Sequence, residues 1–194
     1  MNSSLLPKFG GYKKLLTYRF EILIYDATVA FCERYISKKD RTFDQMVQAA
    51  RSGVANIIEG SEASATSKKT ELKLTNVAKA SQEELLHDYL AFLRHRSLSV
   101  WDAHSAVSEK VRQAKPETLS ALRKLMASLV SELSEMSALS DRTSLKQEVA
   151  ANTMICLLHQ ETFLLHRQIT RLAGNFEAEG GFTERLYRYR KQKQ

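Results

Sequence analysis

The chain has 194 residues, 43% hydrophobic and 26% charged, a balance that excludes wholesale disorder and suits one domain with an appendage. Seven glycines and two prolines are few for strands and tight turns, so long helices are expected. The formal net charge of +7 raises nucleic acid or an acidic surface as a partner, and it also keeps a protein in solution.

Residues 1–11 form an N-terminal arm whose composition is not that of a secretory signal. No stretch reaches the ~20 apolar residues of a membrane span, so no membrane partner is expected. Leu15, Tyr18, Ile22, Tyr25, Val29, Cys32 and Ile36 then recur at steps of three and four, the seam of a first helix. Thr42 with Gln45 reads as a capping box for a second helix, faced by Phe43, Val47, Ala50, Val54 and Ile57, with Gly60 as its stop. Gly53 sits mid-helix, where it costs about 1 kcal/mol against Ala, and predicts close approach of another helix.

A third helix is predicted from about Lys68 to Arg94, with an apolar face wide enough to touch neighbours on two sides. Residues 96–115 give the weakest pattern, in which Trp101 and Val107 dock a short helix or loop. Pro116 suits the first turn of a fourth helix with a seam at Leu119, Leu122, Met126, Leu129, Leu133 and Met136. Residues 137–143 read as a linker, and Ser144 with Gln147 as a further capping box. The fifth helix is apolar nearly all round and needs partners on more than one side. Its Ile155, Leu158, His159, Leu165 and His166 are expected to form an oligomer interface. Gly174 is its expected end, and residues 182–194 form a basic tail.

Cys32 and Cys156 lie in apolar helical patterns and form no pair motif, so buried free thiols and a reducing, cytoplasmic setting are expected. Polar residues on the second and third helices have two readings. Gln45, Arg51, Ser52, Asn56, Glu59, Ser81, Glu84 and Asp88 are either a metal or acid–base site or a structural network joining the helices. The paired Glu-x-x-His pattern of dimetal helical proteins is missing, which favours the network. Cys156 and His159 are spaced for one metal, but His159 and His166 are ~10 Å apart along a helix, too far to share an ion. Packing or interface histidines are expected, and nothing marks an activated nucleophile. No catalytic residue, metal or cofactor is expected.

Cations cluster in the tail. Arg185, Arg188, Arg190, Lys191 and Lys193 are interleaved with Tyr187 and Tyr189, a composition suited to phosphates and unpaired bases, or to a plain solvated helix end. Arg94 and Arg96 form another basic group, which also answers the helix dipole.

Phe43-x-Gln45, Ala49-Ala50-Arg51-Ser52-Gly53, Asn56-Ile57-Ile58-Glu59-Gly60, Ala80-Ser81-x-Glu83-Glu84-Leu85 and Asp88-Tyr89 together resemble the bacterial four-helix bundle family. That family is named for the protein encoded in 23S rRNA intervening sequences and includes the accessory variability proteins of diversity-generating retroelements. The resemblance covers roughly Tyr12 to Met136. Asn152-Thr153-x-Ile155-Cys156-Leu157-Leu158-His159-Gln160 and Glu179-Gly180-Gly181-Phe182-Thr183-Glu184-Arg185-Leu186-Tyr187 resemble the suffix segment carried by some members.

The resemblance implies an all-α, up-and-down four-helix bundle over residues 12–138, followed by a helical suffix with a basic tail over 144–194. It also implies homo-oligomers, pentamers among them, and contact with nucleic acid and a reverse transcriptase. The expected function is therefore a non-enzymatic, oligomeric accessory factor that binds RNA or single-stranded or structured nucleic acid. The alternative is a protein-interaction scaffold whose suffix helix docks on a partner.

Overall fold

The computed structural model describes residues 11–136 and 142–191, so most of the expected linker, and Lys193, lie outside the described residues. A 3-10 turn, Gly11–Lys14, leads into α1 (Leu16–Tyr35), α2 (Arg41–Ala63) and α3 (Lys68–His95). These are followed by α4 (Ala106–Ala114), α5 (Leu119–Met136), α6 (Arg142–Glu179) and α7 (Phe182–Lys191). Among the described residues there is no strand, and no helix is long and apolar enough to cross a membrane.

The helix ends follow local chemistry, at places other than expected. Asp40 caps α2, accepting the Thr42 amide at 2.9 Å, and Gln45 is left exposed rather than closing a capping box. Thr118 stands at the start of α5, its hydroxyl accepting the Ala121 amide, so Pro116 precedes that helix and is buried instead. α6 starts at Arg142, which puts Ser144 inside its first turn. Gly174 does not end α6: the helix runs on until Gly180, at φ +72°, supplies the left-handed turn that an L side chain resists. Gly60 lies inside α2, where an added Cβ would sit 3.3 Å from the Leu74 Cβ of α3. It marks a close helix crossing, not a stop.

α2 and α6 each pack against both α1 and α3, while α5 lies on α6 and α1, and α4 on α6 and α5. The segment read as an appended suffix thus contributes the helix that α1 and α3 share opposite α2. Most of its apolar surface finds partners within the chain, while Phe163 stays exposed. Ile155, Leu158 and Leu165 are buried there, so they do not form the expected oligomer interface, whereas His159 and His166 are exposed. Asn152, His159 and His166 recur every seven residues, but Asn152 is buried and the two histidines are exposed, so they form no common polar seam. Asn152 is turned onto the preceding loop, donating to the Ser99 carbonyl at 2.8 Å and accepting the Trp101 amide at 2.8 Å.

Three hydrogen bonds give the register of α1 and α3. Gln82 donates to Glu21 at 2.5 Å, Tyr89 to Thr28 at 3.1 Å, and Arg96 to the Tyr35 carbonyl at 3.1 Å, each across 61 residues. A constant offset in steps of seven means that the two helices run parallel. α6 runs the other way, since Thr17 at the start of α1 bonds Gln168 late in α6 at 2.7 Å.

The core has two parts. The larger joins α1 to α6 through residues such as Ile24, Phe31, Met46, Leu85, Leu122 and Leu158. The Phe31 ring meets Tyr89 and Phe92 edge-on, with centroids 4.8 and 4.7 Å away. The smaller part holds Ile57, Ala78 and Leu165, with Leu15 and Tyr18 against them. Cys32 and Cys156 are buried free thiols, and burial, followed by the Asp88 charge, pushes Cys32 up to about 12.

A buried acid pair and a basic end

Between the two apolar clusters lies one polar layer to which four helices contribute. In chain order Glu21 falls between Tyr18 and Ile24, Gly53 between Ala50 and Ile57, Gln82 between Ala78 and Leu85, and Glu161 between Leu158 and Leu165. Glu21, Gln82 and Glu161 are all 0% exposed. The Gln82 amide donates to Glu21 Oε2, and Gly53 is where the two side chains press against α2. A Cβ there would overlap the Gln82 amide nitrogen and the Glu21 carboxyl. The close approach expected of another helix's backbone at Gly53 is made instead by the side chains of Gln82 and Glu21.

Glu21 Oε1, Gln82 Oε1 and both Glu161 oxygens have no hydrogen-bond partner among the described residues. Burial pushes both carboxyls well above the ordinary carboxylate range, and the Glu21 charge raises Glu161 further. Two carboxylates cannot both ionise in a dry interior without a cation beside them. Retained protons remove that cost and turn a carboxyl into a donor. Among the described residues no three His, Cys, Asp or Glu side chains are grouped to hold a metal ion.

The expected polar network is smaller than its sequence pattern. Ser81 donates to the Ser52 hydroxyl at 2.9 Å, which joins α3 to α2, and within α2 Asn56 donates to the Ser52 carbonyl at 2.8 Å. Asp88 is half-buried, its carboxyl raised by burial and then by Glu84. Gln45, Arg51, Glu59 and Glu84 are exposed and lie outside the interior. Sequence reasoning missed Glu21 and Glu161. A single acid in an apolar helix reads as a surface charge, and the available signal was Gly53, a costly mid-helix glycine that needed something to make room for.

The structure separates the two basic groups. Arg94 and Arg96 are exposed where α1 and α3 end, and the Arg96 guanidinium lies 3.8 Å from the Phe92 ring centroid. α6 passes this end at Asn152 and leads to α7 only after Glu179, about 40 Å away at 1.5 Å per residue. On α7, Tyr187, Arg188, Arg190 and Lys191 are exposed, and these described residues form no common surface with Arg94 and Arg96.

The end with Arg96 collects further cations. The turn after α1 carries Lys38 and Lys39, both exposed, and the Arg96 charge reaches Asp40 beside them. The arrangement offers preorganised positive charge. No protein-family model, curated protein or solved structure matches the chain.

Proposed function

We propose that this chain is a non-enzymatic four-helix-bundle protein, formed by α1, α2, α3 and α6, that binds nucleic acid as an accessory factor. The observation that carries this reading is Arg96, held against Phe92 and the Tyr35 carbonyl beside exposed Arg94, Lys38 and Lys39. A guanidinium fixed in this way loses little freedom on meeting a phosphate. The +7 net charge and the sequence resemblance support the same conclusion. The α7 cations lie far enough away to touch a second stretch of a long polyanion.

Fluorescence anisotropy with single-stranded RNA and DNA, from low to high salt, tests the reading. Affinity is expected to fall with salt, and K38E/K39E/R94E/R96E to flatten that dependence by about 0.7 in logarithmic slope for each phosphate that is no longer neutralised. Affinity absent at low salt, or indifferent to salt, removes the reading.

A second reading rests on a separate observation. Leu16 is 52% and Phe163 60% exposed, and both line a cleft of about 590 Å³ between α1 and α6. Exposed apolar side chains rimming a cleft support protein docking, either self-assembly into a pentamer or a partner such as a reverse transcriptase. L16S/F163S is expected to lower the solution mass or abolish capture of a tested partner; an unchanged mass and capture count against this reading.

A further inference from the structure

A second cleft, of about 840 Å³, opens between α1, α5 and α6. Its size falls within the range of small-molecule sites. Its floor is aliphatic and aromatic: Phe31, Leu122 and Met154 are buried beneath it, and Met126 is half-buried at its side. Methionine side chains adapt to flexible apolar ligands better than branched ones do. Among the described residues, Arg34, Arg123, Arg142 and Lys146 line the same cleft and are exposed, against one carboxylate, Glu33.

Arg142 and Lys146 stand at the start of α6, where the macrodipole already presents positive charge and where acidic residues are preferred. The first turn of α6 contains no acidic residue. Arg34 and Arg123 come from α1 and α5 to the walls of the same cleft. Among the described residues, four cations line an apolar floor at which α6 also begins, an arrangement complementary to an anion with an apolar body.

We propose that this cleft binds a single-chain aliphatic carboxylate, its tail laid on the Phe31, Leu122, Met126 and Met154 floor and its headgroup held by Arg34, Arg123, Arg142 and Lys146. Guanidinium groups match a carboxylate with paired donors, so the headgroup gains direction as well as charge. Phe31 is buried and Tyr35 half-buried, so the floor suits an alkyl tail better than a nucleobase, which stacks on exposed aromatic faces. The site is distinct from the Arg94 and Arg96 surface and does not depend on nucleic-acid binding.

Isothermal titration of the full chain with dodecanoate, below its micelle concentration, is the experiment. Saturable one-to-one binding is expected, at least about tenfold tighter than dodecanol or dodecylammonium. R123E/R142E, which changes exposed side chains only, is expected to weaken binding at least about tenfold. Ala127→Trp fills the cleft from its exposed wall without altering charge, and should do the same. R94E/R96E should leave dodecanoate binding unchanged. The proposal is overturned if dodecanoate does not saturate, if dodecylammonium binds as tightly, or if R123E/R142E binds like the parent chain. It is overturned equally if the protein floats with phosphatidylglycerol vesicles while ignoring monomeric dodecanoate, because a membrane surface would then be the ligand.

Discussion

The Glu21 carboxyl accepts the Gln82 amide at 2.5 Å through the middle of the molecule, from one helix to another that shares its direction. α1 and α3 are neighbours of the same two helices, so this bond spans the interior and holds an acidic side chain where apolar packing alone would do. The bond fixes register: one turn of slippage would place Glu21 against Ala78 or Leu85, with nothing to bond.

The acid pair makes stability depend on pH. Both folded-state carboxyls titrate above their unfolded values, so the folded chain holds protons that the unfolded chain releases. The contribution is complete below the unfolded value and is lost as pH rises toward the folded one. The denaturant midpoint should therefore decline from about pH 5 to pH 8, by at most about 1.4 kcal/mol per pH unit for each proton retained. Glu161→Gln, which keeps the shape and removes the charge, should be more stable than the parent chain at pH 8 and show a flatter profile. A parent profile that rises over this interval would show that the interior carries its charge by other means.

Two glycines should respond in opposite ways to the same substitution. Gly53→Ala pushes a methyl group into Gln82 and Glu21, and is expected to cost about 1–3 kcal/mol despite better helix propensity. Gly174→Ala, exposed within α6 and with nothing within 4 Å of the added Cβ, should gain about 0.5–1 kcal/mol. Thermal unfolding of the two variants checks both signs at once.

Tyr89 and Thr28 test the second rung of the same register. Tyr89→Phe leaves the buried Thr28 hydroxyl without its partner and should cost about 1–2 kcal/mol. Adding Thr28→Val removes the orphan and should recover part of the loss. A double variant as unstable as the sum of the singles would mean that the hydroxyl pair contributes no coupling.

Asn152 controls the loop after α3. It is 1% exposed and bonds Ser99 and Trp101 through both ends of its amide. Asn152→Ala strands those backbone groups and should cost about 1–3 kcal/mol. Hydrogen exchange should accelerate first at the Trp101 amide, while α2 and α3 keep their protection.

The run of Leu, Tyr and Phe along residues 68–95 was enough to place α3 within one residue of its observed ends, because capping and periodicity are local. The position of α6 was not legible. An all-round apolar helix needs neighbours, and sequence alone does not say whether they belong to the same chain. The α1 seam was drawn through Leu15, Tyr18 and Ile22, which are half-buried, since counting apolar residues passes over the truly buried Thr17, Glu21 and Thr28. Those three are interior only because Gln168, Gln82 and Tyr89, in that order, arrive from distant segments to bond them. The basic groups were legible as compositions, but their separation to opposite ends depends on the direction of α6.

The late position of α6 in the chain also governs biogenesis. Synthesis proceeds from the N-terminus, so α1, α2 and α3 leave the ribosome before the helix that covers Leu85 and Glu21 exists. Throughout that interval the growing polypeptide presents uncovered apolar faces and an acid with no closed interior to shelter it, a state that attracts holdase chaperones. A nascent chain arrested after α5 should therefore stay protease-sensitive, and resistance should appear only once α6 has been released.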